Sequence, residues 1–184
     1  MRAGLQNSGP GTATATAADP NALEGLLGAC ADRDTFCAEL SKVFRVRRTE
    51  VALLRLDNGL LKFLFPTELR TAGSIPVSSA TAVAAHTAIT KKVELFNSFT
   101  RVKHAKIFEA VKLGKAEDDP NENAPIQKLM SAPVLSGENK VLGVLQVCRK
   151  GLDLNLAGND FTLDDLQKLE AAAKVLAKSD FLRA

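Results

Sequence analysis

The side chains best suited to chemistry in this sequence are two histidines, His86 and His104, and three cysteines, Cys30, Cys37 and Cys148. His104 lies four residues before Phe108 and seven before Val111, so a helical segment aims it along the stripe of Phe99, Val102, Ile107, Phe108 and Val111. In a partly dry site its ring can bind an anionic ligand when protonated or coordinate a metal when neutral; the bland alternative is a hydrogen-bonded packing residue. His86 stands among alanines, and neither histidine has a Cys or His three or four residues away, which is no zinc spacing. A thiolate at Cys148, beside Arg149, could act as a nucleophile, but that chemistry needs an activated thiol and usually a resolving partner. Cys30 and Cys37 are seven apart and read as small core residues of a helical face. The stretch from Asp153 to Asp164 has the glycine of a calcium loop at its sixth position, yet Ala157 fills a ligand position and Asp164 replaces the bidentate Glu, so it reads as a surface turn.

The totals bound what these residues can belong to. A chain of 184 residues fits one domain with a tail. With 46% hydrophobic and 24% charged residues it can bury a core without metal or disulfide help. The net charge is +3 and basic residues alternate with acidic ones, apart from Arg45, Arg47 and Arg48 at the end of a helical pattern, where cations complement the helix dipole; a nucleic-acid partner is not expected. An odd cysteine count without a secretory leader favours reduced thiols and a cytoplasmic protein. No stretch approaches the ~18 to 20 apolar residues of a membrane span, so no membrane association is expected.

The elements that must position the chemistry are legible in pattern. Residues 1–18 are small, polar and repetitive and predict a disordered tail. Asp19 and Pro20 open a helix extension over 19–31; Phe36, Cys37, Leu40, Val43 and Phe44 continue the signal, and Asp32 to Asp34 offer a point at which it splits. Val51 to Leu56 and Leu60 to Phe65 flank Asn58-Gly59 and predict a hairpin, apolar on both faces and therefore covered twice. Residues 73–77 suit a short edge strand. Ser78 or Ser79 should cap a helix over 80–92 with Ala82, His86 and Ile89 on one face, and 93–97 form a short strand. After the segment from Ser98 to Leu113 and an acidic, turn-rich loop over 114–125, Leu129 to Leu135 and Val141 to Arg149 form a second hairpin around Ser136 to Asn139. Alternation places Leu142, Val144, Gln146 and Cys148 on one face of its second strand. Thr162 with Asp165 resembles a capping box, Phe161 can staple onto Leu166, and Leu166, Leu169, Ala173 and Leu176 line the last helix.

The order helix, hairpin, short strand, helix, variable segment, hairpin, closing helix, together with SAPVLSGENKVLGVLQVCRKG and the Phe161-Thr162-x-x-Asp165 lead into the last helix, resembles the GAF family of small-molecule sensory domains over about residues 32 to 178. SIPVSSATAVAAHTA is similar to that family's passage from strand to helix above the pocket. The resemblance implies an α+β, GAF/PAS-like fold over residues 32–184. A central antiparallel sheet carries the terminal helices on one face; on the other, a pocket is roofed by the helix of Ala80 to Lys92 and the segment of Ser98 to Leu113. It also selects Leu142, Val144, Gln146 and Cys148 as the pocket-facing set.

Within that frame the candidate ligand-binding residues are His104, Phe108, Asn97, Arg101, Ser131, Gln146 and Cys148, with Glu109 as a further polar group of the roof segment, and the residues name no cofactor or metal. Cyclic-nucleotide-binding members carry an Asn-Lys pair, then a Phe, three residues and Asp-Glu. Here those positions read Cys148-Arg149, Phe161, Asp165 and Leu166, which argues against a cyclic nucleotide and leaves an Arg149 to Asp165 ion pair as a structural clasp. No cysteine lies between Cys37 and Cys148, where bilin-attaching members hold theirs. The expected function is a non-catalytic sensor of an unidentified small molecule, acting as a homodimer or through a signalling partner protein. The alternatives are a free methionine sulfoxide reductase-like enzyme using Cys148 and a degenerate domain that only dimerises, with the helix from Asp19 as partner face.

Overall fold

A computed structural model describes residues 19–79, 81–99 and 124–183. The N-terminal tail and the segment that holds Arg101, His104, Phe108 and Glu109 lie outside the described residues.

Among the described residues four helices, α1 (Pro20–Gly28), α2 (Arg33–Phe44), α3 (Val83–Thr90) and α4 (Leu163–Lys178), accompany six strands. The strands are β1 (Val51–Asp57), β2 (Leu60–Phe65), β3 (Ser74–Pro76), β4 (Glu94–Phe96), β5 (Ile126–Leu135) and β6 (Val141–Lys150). They form one antiparallel sheet in the order β3-β2-β1-β6-β5-β4. Both hairpin turns follow from residues that tolerate a left-handed backbone: Asn58 and Gly59 have φ of 49° and 77°, as a two-residue hairpin loop requires, and Asn139 has φ of 59°.

The strands are apolar on both parities because both faces are covered. On one face Leu53, Phe65, Met130, Ala132, Val134, Leu145 and Val147 pack with Leu27, Phe36, Cys37, Leu40, Leu169 and Leu176 from the terminal helices. On the other, Ala52, Leu54, Leu61, Phe63 and Val144 meet Ala84, Ala85 and Ala88 of α3, and Ile126, Leu129 and Cys148 meet Val83 and Phe99. Burying roughly twelve large side chains completely at about 1.5 to 3 kcal/mol each is the main stabilising contribution.

The helical signal of the N-terminal region splits at Ala29 to Asp32, where Asp32 adopts an extended backbone and caps α2 through Thr35 N at 2.7 Å. The capping box of α4 forms with aspartate in place of Glu: Asp165 Oδ2 accepts from Thr162 N at 2.8 Å, and Thr162 Oγ1 accepts from Asp165 N at 3.1 Å.

Four expectations need correction. The helix α3 starts at Val83 with Ala82 as N-cap and no side-chain cap bond, not at Ser78 or Ser79, because residues 76–79 are used in a turn closed by Ser79 N to Pro76 O. Its buried face is Val83, Ala84, Ala85, Thr87 and Ala88, while Ile89 is 60% exposed and His86 points outward. Small side chains let the helix lie close on the sheet, and closeness rather than side-chain size decides the face. Leu142 packs with the terminal-helix cluster instead of the pocket side, because the pairing steps from Val134↔Gly143 to Leu135↔Val141 and leaves Leu142 as the extra residue of a bulge. Finally, Arg149 does not pair with Asp165, whose carboxylate is occupied by the capping box. It donates to the Phe44 and Arg45 carbonyl oxygens at 3.0 and 3.2 Å, satisfying the end of α2, and its guanidinium lies 4.7 Å from the Phe161 ring centre.

Candidate functional site

The sheet face away from the terminal helices carries two adjacent cross-strand rows. The first is polar: Glu94 on β4 opposes Ser131 on β5, Ser131 opposes Gln146 on β6, and Gln146 opposes Ala52 on β1. The second is apolar with one thiol, Phe96 opposing Leu129 and Leu129 opposing Cys148, and Val83, Phe99 and Ile126 pack against it. The α3 helix roofs the polar row and lowers Thr87 onto it.

Thr87 and Ser131 are fully buried and Gln146 is nearly so, so each polar atom needs a partner. Thr87 Oγ1 lies 2.6 Å from Glu94 Oε2 and 2.8 Å from Ser131 Oγ, and Gln146 Nε2 donates to Ser131 Oγ at 3.1 Å. A hydroxyl has one proton and an ionised carboxylate only accepts, so Thr87 donates to Glu94, and Ser131 donates to Thr87 while accepting from Gln146. Glu94 continues the chain outward through Oε1, 2.7 Å from His86 Nδ1, where His86 stands 58% exposed. The result is a hydrogen-bonded line from solvent to the centre of the sheet.

The structure thus brings Ser131 and Gln146 together and sets Cys148 in the neighbouring row. Asn97 is taken elsewhere: its Nδ2 donates to the Phe161 carbonyl and its Oδ1 accepts from Phe161 N, both at 2.9 Å, which ties the end of β4 to the start of α4. His104, Phe108 and Arg101 lie outside the described residues. Sequence reasoning missed Thr87 and Glu94. Thr87 stands three residues after Ala84 and four after Val83, a spacing that marks it as a member of the small-residue face once the helix is rotated by one position.

The cysteines divide between the two faces. Cys37 is buried among the terminal helices with Phe36, Leu40 and Phe44, whereas Cys148 lies across the sheet. Burial pushes the Cys37 thiol far above its ordinary pKa, with Asp34 acting in the same direction and Arg33 and Arg48 against it. Cys30, half-buried, is raised by burial and then by Glu39 and Asp32. A thiol whose folded pKa is raised contributes stability that is complete below the unfolded value and lost as pH rises above it. Wild-type protein should therefore lose about 1.4 kcal/mol more per pH unit above about pH 8.5 than Cys37→Ala does, less whatever the unfolded chain retains of that burial. Urea unfolding of both proteins at neutral and alkaline pH measures the difference, and parallel pH profiles would remove Cys37 from this role.

Asp153 Oδ1 accepts from Asn155 N and Leu156 N at 2.8 and 2.9 Å, the turn expected for this stretch. Among the described residues no helix is long and apolar enough to cross a membrane.

The GAF domain family model matches residues 34–179. The chain belongs to the GAF family. No curated protein matches it. Among solved structures, the GAF domain is similar at TM-score 0.61 and 12% identity to the GAF domain of an Acinetobacter phosphoenolpyruvate-protein phosphotransferase, over 86% of this chain and 88% of that one. The corresponding domain from Coxiella burnetii gives TM-score 0.58 at 9% identity, covering 86% and 88%. Free methionine-R-sulfoxide reductase from Neisseria meningitidis, in complex with its substrate, gives TM-score 0.56 at 16% identity, covering 86% and 84%. At these identities the likeness is one of fold, which phosphotransferase GAF domains and a reductase share.

Proposed function

We propose that this GAF domain is a non-catalytic sensor that binds a small molecule on the sheet face beneath α3, with the ligand's polar end directed to the Thr87, Ser131 and Gln146 row and its apolar part to Leu129, Cys148 and Val83. The observation that carries this reading is the buried, hydrogen-bonded polar row set beside an apolar row on the face away from the terminal helices. In this reading the signal passes through a homodimer or a partner chain.

The thiols favour binding over reduction. A reductase cycle that ends in a disulfide needs a second thiol within reach of Cys148, and Cys37 sits on the opposite face of the sheet with its thiol held protonated by burial.

Native mass spectrometry of the purified protein, compared before and after denaturation, tests the reading. The expected result is a small-molecule mass that is lost on denaturation and absent from the Gln146→Leu variant. Thiol-dependent reduction of free methionine sulfoxide that disappears in Cys148→Ser would overturn it in favour of a reductase. A clean dimer that acquires no adduct from a cell extract would leave only an interaction module.

A further inference from the structure

On the terminal-helix side of the sheet, far along the β3 edge, four cations line one cleft. Arg55 on β1 and Lys62 on β2 face each other directly in the pairing register, and Ser74 on β3 continues that row. Arg33, the first residue of α2, and Arg70, from the turn after β2, close the cleft, whose volume is about 470 Å³. Among the described residues no carboxylate lines it; Asp57 pairs with Lys62 from outside at 2.6 Å, Asp32 caps α2, and Asp34 pairs with Arg48.

The guanidinium groups are held but not satisfied. Arg33 Nη1 donates to the Phe181 carbonyl at 3.2 Å and Arg70 Nε to the Leu64 carbonyl at 3.1 Å, which anchors each side chain and leaves its other donors open. Among the described residues the Nε atoms of Arg33 and Arg55 are sealed from solvent without a hydrogen-bond acceptor, as is that of Arg149 elsewhere in the domain. What carries the cleft is its lining: Arg33, Arg55, Lys62 and Arg70 converge on one open volume, and guanidinium groups with unmatched donors are the natural partners of an oxyanion. The four cations have two neighbouring carboxylates, Asp57 beside Lys62 and Arg55 and Asp32 beside Arg33, so the cleft keeps an excess of positive charge that an anion would offset. An anion of charge minus two or more, with several oxygens for the guanidinium forks, meets both demands.

We infer that this cleft binds a free phosphate-bearing small molecule, at a site separate from the sheet face under α3. The inference is independent of what that face binds.

Inorganic pyrophosphate is the probe, titrated calorimetrically into the full chain at physiological salt and followed in parallel as a rise in unfolding temperature. Wild type should bind in the submillimolar range, and Arg55→Gln/Lys62→Gln should weaken binding at least about tenfold, the effect of losing a bidentate guanidinium contact and one ammonium. Arg70→Gln, whose side chain is exposed, should weaken binding while leaving the fold intact, and Lys174→Gln, in a separate cleft beside β5 at the other end of the sheet, should bind as wild type does. Absence of heat and of thermal shift at millimolar pyrophosphate would overturn the inference, as would undiminished binding by both cleft variants. Malonate binding as tightly as pyrophosphate would overturn the phosphate assignment. Heparin binding without pyrophosphate binding would overturn the small-molecule assignment.

Discussion

Gly143→Ala is expected to destabilise the domain by about 3 kcal/mol, because the added methyl group meets the backbone of the neighbouring strand. Gly143 lies in β6 with Arg55 opposite on β1 and Val134 opposite on β5, so strands bound it on both sides. A Cβ there would be driven into the Leu54 carbonyl oxygen, 3.2 Å from the Leu54 carbonyl carbon and 3.3 Å from Leu182 Cδ2. The first two obstacles are backbone, which cannot rotate away, so β1 and β6 must separate where both faces of the sheet are packed. Gly137 in the hairpin turn is the control: a Cβ there meets nothing within 4 Å, and Gly137→Ala should stay within about 0.5 kcal/mol of wild type. Urea midpoints of the two variants decide the matter. Equal midpoints would mean that β6 stands farther from β1 than the pairing indicates.

That sensitivity also shows which features of the fold local sequence could reveal. The two hairpins were legible because their turns are local: Asn58, Gly59 and Asn139 supply positive φ where apolar runs reverse. The capping box of α4 was legible for the same reason, since its two partners are three residues apart. The double apolar parity of β1 and β2 correctly indicated two covered faces. What failed depended on tertiary distance. The buried face of α3 is set by how closely alanines let it approach the sheet, so the pattern built on Ile89 chose the wrong stripe. The bulge at Leu142 depends on how β6 meets β5, which alternation within β6 does not show.

The candidate site divides along the same line. Ser131 and Gln146 stand out as polar residues inside apolar strands, but Thr87 and Glu94 join them only when β4 pairs with β5 and α3 folds over the row. Arg149, next to Cys148 in sequence, is a residue of opposite destiny: successive side chains on a strand point to opposite faces, so its guanidinium serves the α2 terminus across the sheet from the thiol.

Ser131→Ala should cost about 2 kcal/mol, because the lost hydroxyl leaves Gln146 Nε2 buried without an acceptor. Thr87 is affected less, since its proton goes to Glu94 and only its own lone pair loses a donor. Adding Gln146→Leu removes the orphaned donor at similar volume and should recover more than half of the loss, a coupling of about 1 kcal/mol or more in a double-mutant cycle. Additive losses would mean that the two side chains do not share one network. The same cycle separates architecture from recognition: if the row anchors a ligand's polar end, the double variant is the more stable protein and yet the poorer binder, so its small-molecule adduct should vanish as its urea midpoint rises above that of Ser131→Ala. A row that serves only to hold α3 on the sheet predicts the reverse, with adduct retention following stability across the series.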